Sequence, residues 1–353
     1  IFVAGAVSLM SLLTACQANA DNSVTISRKG DTVELKAGPL KRTLRVSGGK
    51  VTLESLTLAG KPLIADKANE VSFQISRATP NRNPAALKPA DKKVINVKAT
   101  QGDGTDTLLV KKPVPTTLPS EVKWTDNRSF AGRSWNRCFD LSNVAIVSPK
   151  PGMQRLIIRA RSLKDPALAG VSVNIIYETY EGYPVIRKWV EVTNNGANWI
   201  KLSNLLIDDI VIKPEFSNKT LLTPSERGAG ASVVAFSHTD KTRGVILASE
   251  IPSALRAIHD NGSSGYAAEH FEWVLGPAEN FVSEPVFMYA FSGDVVKTSS
   301  AQSLPMDRAV ESGFQHFLKE HLGISPAHIE VQAPKWVTWT NFGPEITDAI
   351  VRE

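Results

Sequence analysis

The chain has 353 residues, of which 42% are hydrophobic and 21% charged, and its 40 basic and 35 acidic side chains give a net charge of +5. Over this length the positive charge is a weak bias. Basic pairs such as Lys92-Lys93 lie near prolines and glycines, so no nucleic-acid-binding track is predicted. The two cysteines, Cys16 and Cys138, predict no intrachain disulfide if Cys16 is removed or lipidated.

An export signal is predicted over residues 1–20. The run Ile1–Ala15 is uncharged and apolar, and it is shorter than the roughly 20 residues that a membrane-spanning helix needs. Leu13–Cys16 is typical of the bacterial lipoprotein box, in which Cys16 carries the lipid. Ala18–Ala20 also fits ordinary signal peptidase, which would leave a soluble exported protein. The signal lacks its basic beginning, and we expect the protein in the periplasm or as an outer-membrane lipoprotein of a bacterium.

Residues 21–300 have the pattern of an antiparallel β domain. Short β-prone runs follow one another, many alternate apolar and polar residues, and turn residues separate them. The predicted strands are 23–26, 32–37, 40–46, 50–58, 70–75, 93–99, 108–110, 144–147, 155–160, 171–180, 185–194, 200–212, 233–237, 243–248, 271–275 and 286–291. Asn195-Gly196 is the strongest hairpin signal in the chain. The number of strands predicts one large sandwich of two sheets.

Two proline-rich segments, 76–92 and 111–121, are predicted as loops because proline is excluded from central strands. Residues 301–330 are predicted as a linker with an amphipathic helix over Met306–Leu322, which Gly323 ends. Residues 331–353 then change pattern. Trp336–Trp339 is a short apolar strand, and a helix begins after Gly343-Pro344. We expect this strand and helix to be the first unit of a further α/β domain that continues beyond Glu353.

No motif predicts catalysis, a cofactor or a metal site in these residues. The six histidines are scattered, and Cys138 is expected to be a packed side chain. Six aromatic residues near turns offer flat surfaces for sugar rings, but core positions are favoured for them: Tyr177, Tyr180, Tyr183, Trp189, Trp199 and Trp273. Trp339 differs because it ends the strand that opens the new domain. Its indole either lines a sugar site or packs a barrel core.

Four segments together resemble the N-terminal half of family 36 glycoside hydrolases, the α-galactosidase family of clan D. Tyr180–Gly196 is the most specific of them and resembles the central strand pair of that family. The others are Leu40–Val46 continuing to Glu70–Phe73, Gly276–Val286 with the helix around Phe314–Phe317, and Pro334–Phe342. The resemblance implies a mainly β chain: a large antiparallel β-supersandwich followed by the first strand and helix of a truncated (β/α)8 barrel.

The resemblance also implies a function. Family members hydrolyse α-linked sugars with retention of the anomeric configuration. They use two aspartates on later barrel strands, one as nucleophile and one as acid/base. Both would lie beyond Glu353, so only Trp339 is carried over, as a substrate-binding residue. In the family an acidic residue often follows the tryptophan that Trp339 matches. This chain has Thr340–Phe342 at that place, so a substrate with an α-linked sugar other than galactose remains an alternative.

The expected function is therefore the accessory domain of an exported α-glycosidase that is inactive by itself. The alternative is a carbohydrate-binding or structural envelope lipoprotein without catalysis. The expected partner is an oligo- or polysaccharide, and a membrane enters only through lipid on Cys16. No nucleic acid and no cofactor are expected, and a homo-oligomer stays open.

Overall fold

The computed structural model describes residues 23–66, 68–81, 94–101, 106–113, 123–126, 133–162, 165–222, 231–251, 256–266, 271–297 and 302–323. In this part of the chain the strands are β1 (Val24–Lys29), β2 (Thr32–Ala37), β3 (Leu40–Ser47), β4 (Lys50–Leu58), β5 (Lys61–Pro62), β6 (Ala68–Asn69), β7 (Ser72–Asn81), β8 (Val94–Gln101), β9 (Asp106–Pro113), β10 (Lys123–Asp126), β11 (Arg133–Ser134), β12 (Asp140–Lys150), β13 (Met153–Arg161), β14 (Val171–Tyr180), β15 (Tyr183–Asn194), β16 (Trp199–Asp208), β17 (Asn218–Leu221), β18 (Val233–Ser237), β19 (Arg243–Ser249), β20 (Arg256–Ile258), β21 (Ser264–Tyr266), β22 (Glu272–Leu275), β23 (Glu279–Val282), β24 (Val286–Ser292), β25 (Val296–Lys297) and β26 (Gln302–Ser303). The helices are α1 (Trp135–Cys138), α2 (Pro305–Arg308) and α3 (Gln315–Leu322), with a π-helical segment, Ala309–Phe314, joining the last two.

The strands form three main antiparallel sheets. The first sheet has the order β1-β2-β3-β4-β5, with β6 beside β4. The second has the order β10-β7-β16-β21-β20, with β11 beside β7 and β22 beside β16. The third and largest runs β12-β13-β14-β15-β24-β19-β18-β17, with β23 beside β15, and the pairs β8–β9 and β25–β26 stand apart.

One continuous apolar core takes its side chains from all three sheets. It includes Leu40 and Leu44 of the first sheet, Leu202 of the second, and Val173 and Val190 of the third. Strand β3 shows how the sequence builds it, because buried positions alternate with half-exposed or exposed ones from Leu40 to Ser47, with the period of a strand. The predicted antiparallel sandwich is therefore confirmed, although its strands form three main sheets and not two. The predicted barrel strand and helix, 331–353, lie outside the described residues.

Most predicted strands are confirmed within one or two residues, but the hairpin at Asn195-Gly196 is wrong. Strand β15 belongs to the third sheet and β16 to the second, so this connection crosses between sheets. A tight two-residue hairpin of the favoured type needs positive φ at both turn residues, and neither Asn195 nor Gly196 has one. Instead, a Cβ on Gly196 would come 2.1 Å from the carbonyl oxygen of Ala169. Glycine is present here because two chain segments approach each other closely.

The two predicted proline-rich loops are partly wrong. Strand β7 continues to Asn81 and β9 to Pro113. Pro80 faces Trp124 of β10, while the pairing of β7 with β16 already ends at Ala78. Among the described strands, β7 therefore has a neighbour on one side only at Pro80, which is where a sheet tolerates a residue without an N–H.

The C-terminal helix is confirmed, and it ends where expected. Its last segment, α3, stops at Gly323, which has a left-handed φ of 67° and donates its N–H to the carbonyl of Leu318. The chain divides into two compact units, Ile1–Met306 and Asp307–Glu353. The boundaries predicted at residues 20, 300 and 330 stay predictions. No helix in the described ranges is long and apolar enough to cross a membrane.

Candidate functional site

The residues predicted from sequence to bind substrate or lipid, Trp339 and Cys16, both lie outside the described residues. Their roles stay predictions. Of the six aromatic residues, Tyr177, Tyr180 and Trp189 are buried, as the core interpretation expects. Trp273 of β22 differs, since it is 49% exposed and rests on Phe281 with ring centroids 5.3 Å apart.

Five polar residues meet in the interior of the sandwich, and we call them the central cluster. Arg42 comes from β3, Tyr177 and Lys188 from β14 and β15, and Asp208 from the end of β16. Glu70 stands just before β7. All five are buried, so the cluster brings together residues of the first, second and third sheets inside the core.

Hydrogen bonds connect every member of the central cluster. Lys188 Nζ donates to Glu70 Oε1 at 2.6 Å and to Asp208 Oδ1 at 2.6 Å, and it also donates to the backbone carbonyl of Glu70. Arg42 Nη2 donates to the same two carboxylate oxygens at 2.5 and 2.7 Å. The hydroxyl of Tyr177 donates to Glu70 Oε1, and its ring faces the Lys188 ammonium at 5.2 Å. Three donors thus converge on a single oxygen of Glu70.

The charges of the cluster balance, with two cations facing two carboxylates. Burial raises the pKa of Asp208, but the charges of Arg42 and Lys188 outweigh burial and hold that pKa below its usual value. Burial and the neighbouring Arg42 lower the pKa of Lys188. Burial and the Glu70 carboxylate raise the pKa of Tyr177 well above its usual value. The arrangement keeps each charge paired, as buried charges require.

A second group of polar residues lies on the opposite face of the third sheet, and we call it the outer cluster: Arg155, Glu178, Tyr180, Arg187 and Glu250. Arg187 donates to Glu178 at 2.9 Å and to both oxygens of Glu250 at 2.7 and 2.9 Å. Burial raises the pKa of Glu178, but hydrogen bonds from Tyr180 and the two arginines bring it below its usual value. Trp189 lies under the Arg187 guanidinium, 5.0 Å away.

The two clusters share one pair of strands. Tyr177 faces Lys188 across β14 and β15, and the next pair along, Glu178 and Arg187, faces the other way. Consecutive residues therefore supply the two clusters, one on each face of the sheet. The carboxylates of both clusters accept hydrogen bonds from cations or phenols, which is the chemistry of structural ion pairs. A catalytic carboxylate instead needs access to substrate.

Sequence reasoning missed the central cluster, although a signal existed. Arg42 lies on the same buried face of its strand as Leu40 and Leu44. Lys188 likewise lies on the same buried face as Ile186 and Val190. A charge on the apolar side of an alternating strand indicates a buried ion pair. Its partners, however, lie far along the chain, since Arg42 and Asp208 are 166 residues apart.

A cleft of about 910 Å³ lies at the ends of β1, β13 and β14. Its lining comes from residues 23–24, 148–154 and 181–182 and contains no aromatic side chain on which a sugar ring could stack. In the described ranges no three histidine, cysteine or acidic residues are placed to hold a metal ion.

Comparison with known proteins gives matches among solved structures. No family model matches the chain, and no curated protein sequence matches it. The GH36 α-galactosidase AgaB from Geobacillus stearothermophilus is similar to it with a TM-score of 0.42 and 13% identity, covering 76% of this chain and 41% of that chain. For an α-galactosidase from Lactobacillus brevis the TM-score is 0.38 and the identity 11%, covering 77% and 40%. A polysaccharide lyase matches with a TM-score of 0.29 and 13% identity, covering 74% and 34%.

The chain thus spans about two fifths of the length of the α-galactosidases that it matches. The matched part covers about three quarters of this chain, at low sequence identity.

Proposed function

We propose that this chain is the N-terminal accessory domain of an exported α-glycosidase. The enzyme is α-galactosidase-like and removes terminal α-linked sugars from oligo- or polysaccharides. It acts with retention, through two aspartates that follow Glu353 in the protein. A retaining pair of carboxyl groups stands about 5 Å apart, one attacking the sugar and the other donating a proton. Trp339 is proposed to line the sugar site at the end of the first barrel strand.

The observation that carries the proposal is the sequence of Tyr180–Gly196, which resembles the central strand pair of family 36 enzymes. In the structure this segment contains β15, which pairs with β14, β24 and β23 at the middle of the largest sheet. Arg187 and Lys188 of this segment hold the outer and central clusters together. The segment thus has a structural role in the sandwich, which suits an accessory domain whose chemistry is performed elsewhere.

An alternative function is favoured by the N-terminal sequence alone. Leu13–Cys16 fits a lipoprotein box, and an envelope lipoprotein can bind carbohydrate or serve a structural role without turnover. Lipid on Cys16 is compatible with both functions, so it places the protein at a membrane without deciding between them. Catalysis by the longer protein is what distinguishes the two.

The proposal is tested by comparing this chain with the protein extended to its natural C-terminus. The extended protein should hydrolyse an aryl α-glycoside with retention of the anomeric configuration, measured by NMR of the first product. The 353-residue chain should be inactive, because the two aspartates of this proposal follow Glu353. Trp339→Ala in the extended protein should lower kcat/KM more than it lowers the melting temperature.

Two results would overturn the proposal: turnover by the 353-residue chain itself, or an extended protein that hydrolyses no α-glycoside.

The same preparations test the lipid anchor on Cys16. Activity should appear in the membrane fraction of the natural host and move to the soluble fraction with Cys16→Ser. Equal distribution of the two forms would favour cleavage after Ala20.

A further inference from the structure

The central cluster contains two polar atoms that no other group of the protein satisfies. Within the described residues, Arg42 Nε and Glu70 Oε2 are both buried, and neither takes part in a hydrogen bond. The two side chains are at most 1% exposed, so bulk solvent does not reach these atoms. A buried donor or acceptor without a partner is costly, and the cost is larger when the atom belongs to a charged group.

The two atoms belong to a single ion pair. The N–H of Nε and one N–H of Nη2 point to the same side of a guanidinium, and a carboxylate facing that side accepts from both. Arg187 and Glu250 of the outer cluster pair in this way, with Nε to Oε2 at 2.7 Å and Nη2 to Oε1 at 2.9 Å. Arg42 and Glu70 make only half of this arrangement, the bond from Nη2 to Oε1 at 2.5 Å.

The neighbours of Arg42 and Glu70 explain why the second half is not made. Lys188 and Tyr177 also donate to Glu70 Oε1, so three donors on one oxygen fix the direction of the carboxylate. Asp208 holds the guanidinium from its other side, accepting from Nη1 at 3.4 Å and from Nη2 at 2.7 Å. Bringing Arg42 Nε onto Glu70 Oε2 would therefore weaken hydrogen bonds elsewhere in the central cluster.

We propose that a buried water molecule completes this pair by accepting from Arg42 Nε and donating to Glu70 Oε2. Each of these atoms shares its central carbon with an atom of the 2.5 Å hydrogen bond, so one small molecule can reach both. The Arg42 guanidinium repels a cation at this place and the Glu70 carboxylate repels an anion. The occupant is therefore small and neutral and both donates and accepts, as buried waters do between otherwise unsatisfied polar groups.

The test is a crystal structure of the full chain at a resolution that shows ordered water. We expect one water molecule within about 2.7–3.2 Å of both Arg42 Nε and Glu70 Oε2. The Arg187–Glu250 pair in the same crystal is the matched control, and its Nε and Oε2 should be in direct contact. A direct contact between Arg42 Nε and Glu70 Oε2, or the absence of electron density for a molecule between them, would overturn the proposal. The inference does not depend on the proposed glycosidase function.

Nuclear magnetic resonance supplies a second measurement on the unmodified chain in solution. With ¹⁵N-labelled arginine, the Nε proton of Arg42 should show a nuclear Overhauser effect to water, with the sign of a molecule that stays bound longer than the protein takes to tumble. Arg42→Lys keeps the positive charge and identifies the signal by its loss. If that variant does not fold, the crystal structure of the unmodified chain still decides. An Arg42 Nε proton without this effect in the folded chain would contradict a bound water.

Discussion

Lys188 shows how a single charged residue can organise the interior of a sheet protein. Its ammonium donates to two carboxylates and a backbone carbonyl, and it stands over the ring of Tyr177. These partners belong to Glu70, Tyr177 and Asp208, which come from three different stretches of the chain. Because a buried charge without a partner is costly, this group tolerates only the arrangement of strands that brings Glu70 and Asp208 to it.

Replacing Lys188 by methionine should therefore destabilise the fold strongly. The variant leaves two buried carboxylates with Arg42 as their only cation, and we expect the free energy of unfolding in urea to fall by about 3–5 kcal/mol. The control is Lys41→Met on the same strand as Arg42, where a 45% exposed side chain pairs with Glu34 and the expected loss is below about 1 kcal/mol.

A double variant separates charge from packing. Lys188→Met combined with Asp208→Asn removes one charge of each sign, and it should regain part of the stability that Lys188→Met loses. If Lys188→Met costs no more than Lys41→Met, the central cluster does not stabilise the sandwich.

At the scale of elements, the connection from β15 to β16 moves the chain from the third sheet to the second. Asn194 holds this crossing in place, since its side-chain amide donates to the carbonyls of Asn198, Leu275 and Gly276 at 2.8, 3.1 and 3.0 Å. Its side-chain oxygen accepts from the N–H of Gly196 at 3.1 Å. The short polar side chain gives hydrogen-bond partners to the N–H of Gly196 and the carbonyl of Asn198, two backbone groups of the crossing.

Gly196→Ala should damage this crossing. The added Cβ would meet the carbonyl oxygen of Ala169 at 2.1 Å, a contact with backbone that cannot rotate away, and we expect a loss of about 3 kcal/mol in urea unfolding. Gly182→Ala in the β14–β15 turn is the comparison. There the Cβ meets nothing within 4 Å, and only its positive φ of 83° costs about 1–2 kcal/mol. Equal losses at the two glycines would contradict the close approach seen at Gly196.

At the scale of the whole molecule, the pairing of buried carboxylates sets the response to pH. The pKa values of Asp208 and Glu178 lie below their usual values of 3.8 and 4.5 because cations and hydrogen bonds outweigh burial. The unfolded chain therefore binds these protons at higher pH than the folded chain does. The stability that they contribute is present above their usual pKa values and is lost as pH falls through the folded ones.

We expect the urea midpoint to be nearly constant between about pH 5 and 7 and to decrease steadily below about pH 4. The pKa of Lys188 is lowered in the folded protein, so this group affects stability at alkaline pH. There the unfolded chain keeps the Lys188 proton to higher pH than the folded chain does, and the contribution of Lys188 to stability therefore increases as pH rises. In Lys188→Met the urea midpoint should decrease less at acid pH, because Asp208 loses one of the cations that lower its pKa. A midpoint that does not change between pH 5 and 3 would contradict this account.

The local features of this protein follow from its amino-acid pattern. Alternation predicted strands such as β2, β4 and β14 with their observed bounds, and helical spacing with Gly323 predicted the C-terminal helix. These features depend on interactions within a few residues, namely side-chain period and turn or cap chemistry, so they can be read from the chain.

The sheets that the strands join and the charges that meet depend on the complete fold. The pattern at Asn195-Gly196 predicted a hairpin, but the strands on either side pair with β14 and β7, and the glycine serves a contact with Ala169. Arg42 and Lys188 have visible signals in their strands, yet their carboxylate partners could not be named in advance. The physical reason is that pairing and burial between distant segments depend on the packing of the whole core, which no short stretch of sequence specifies.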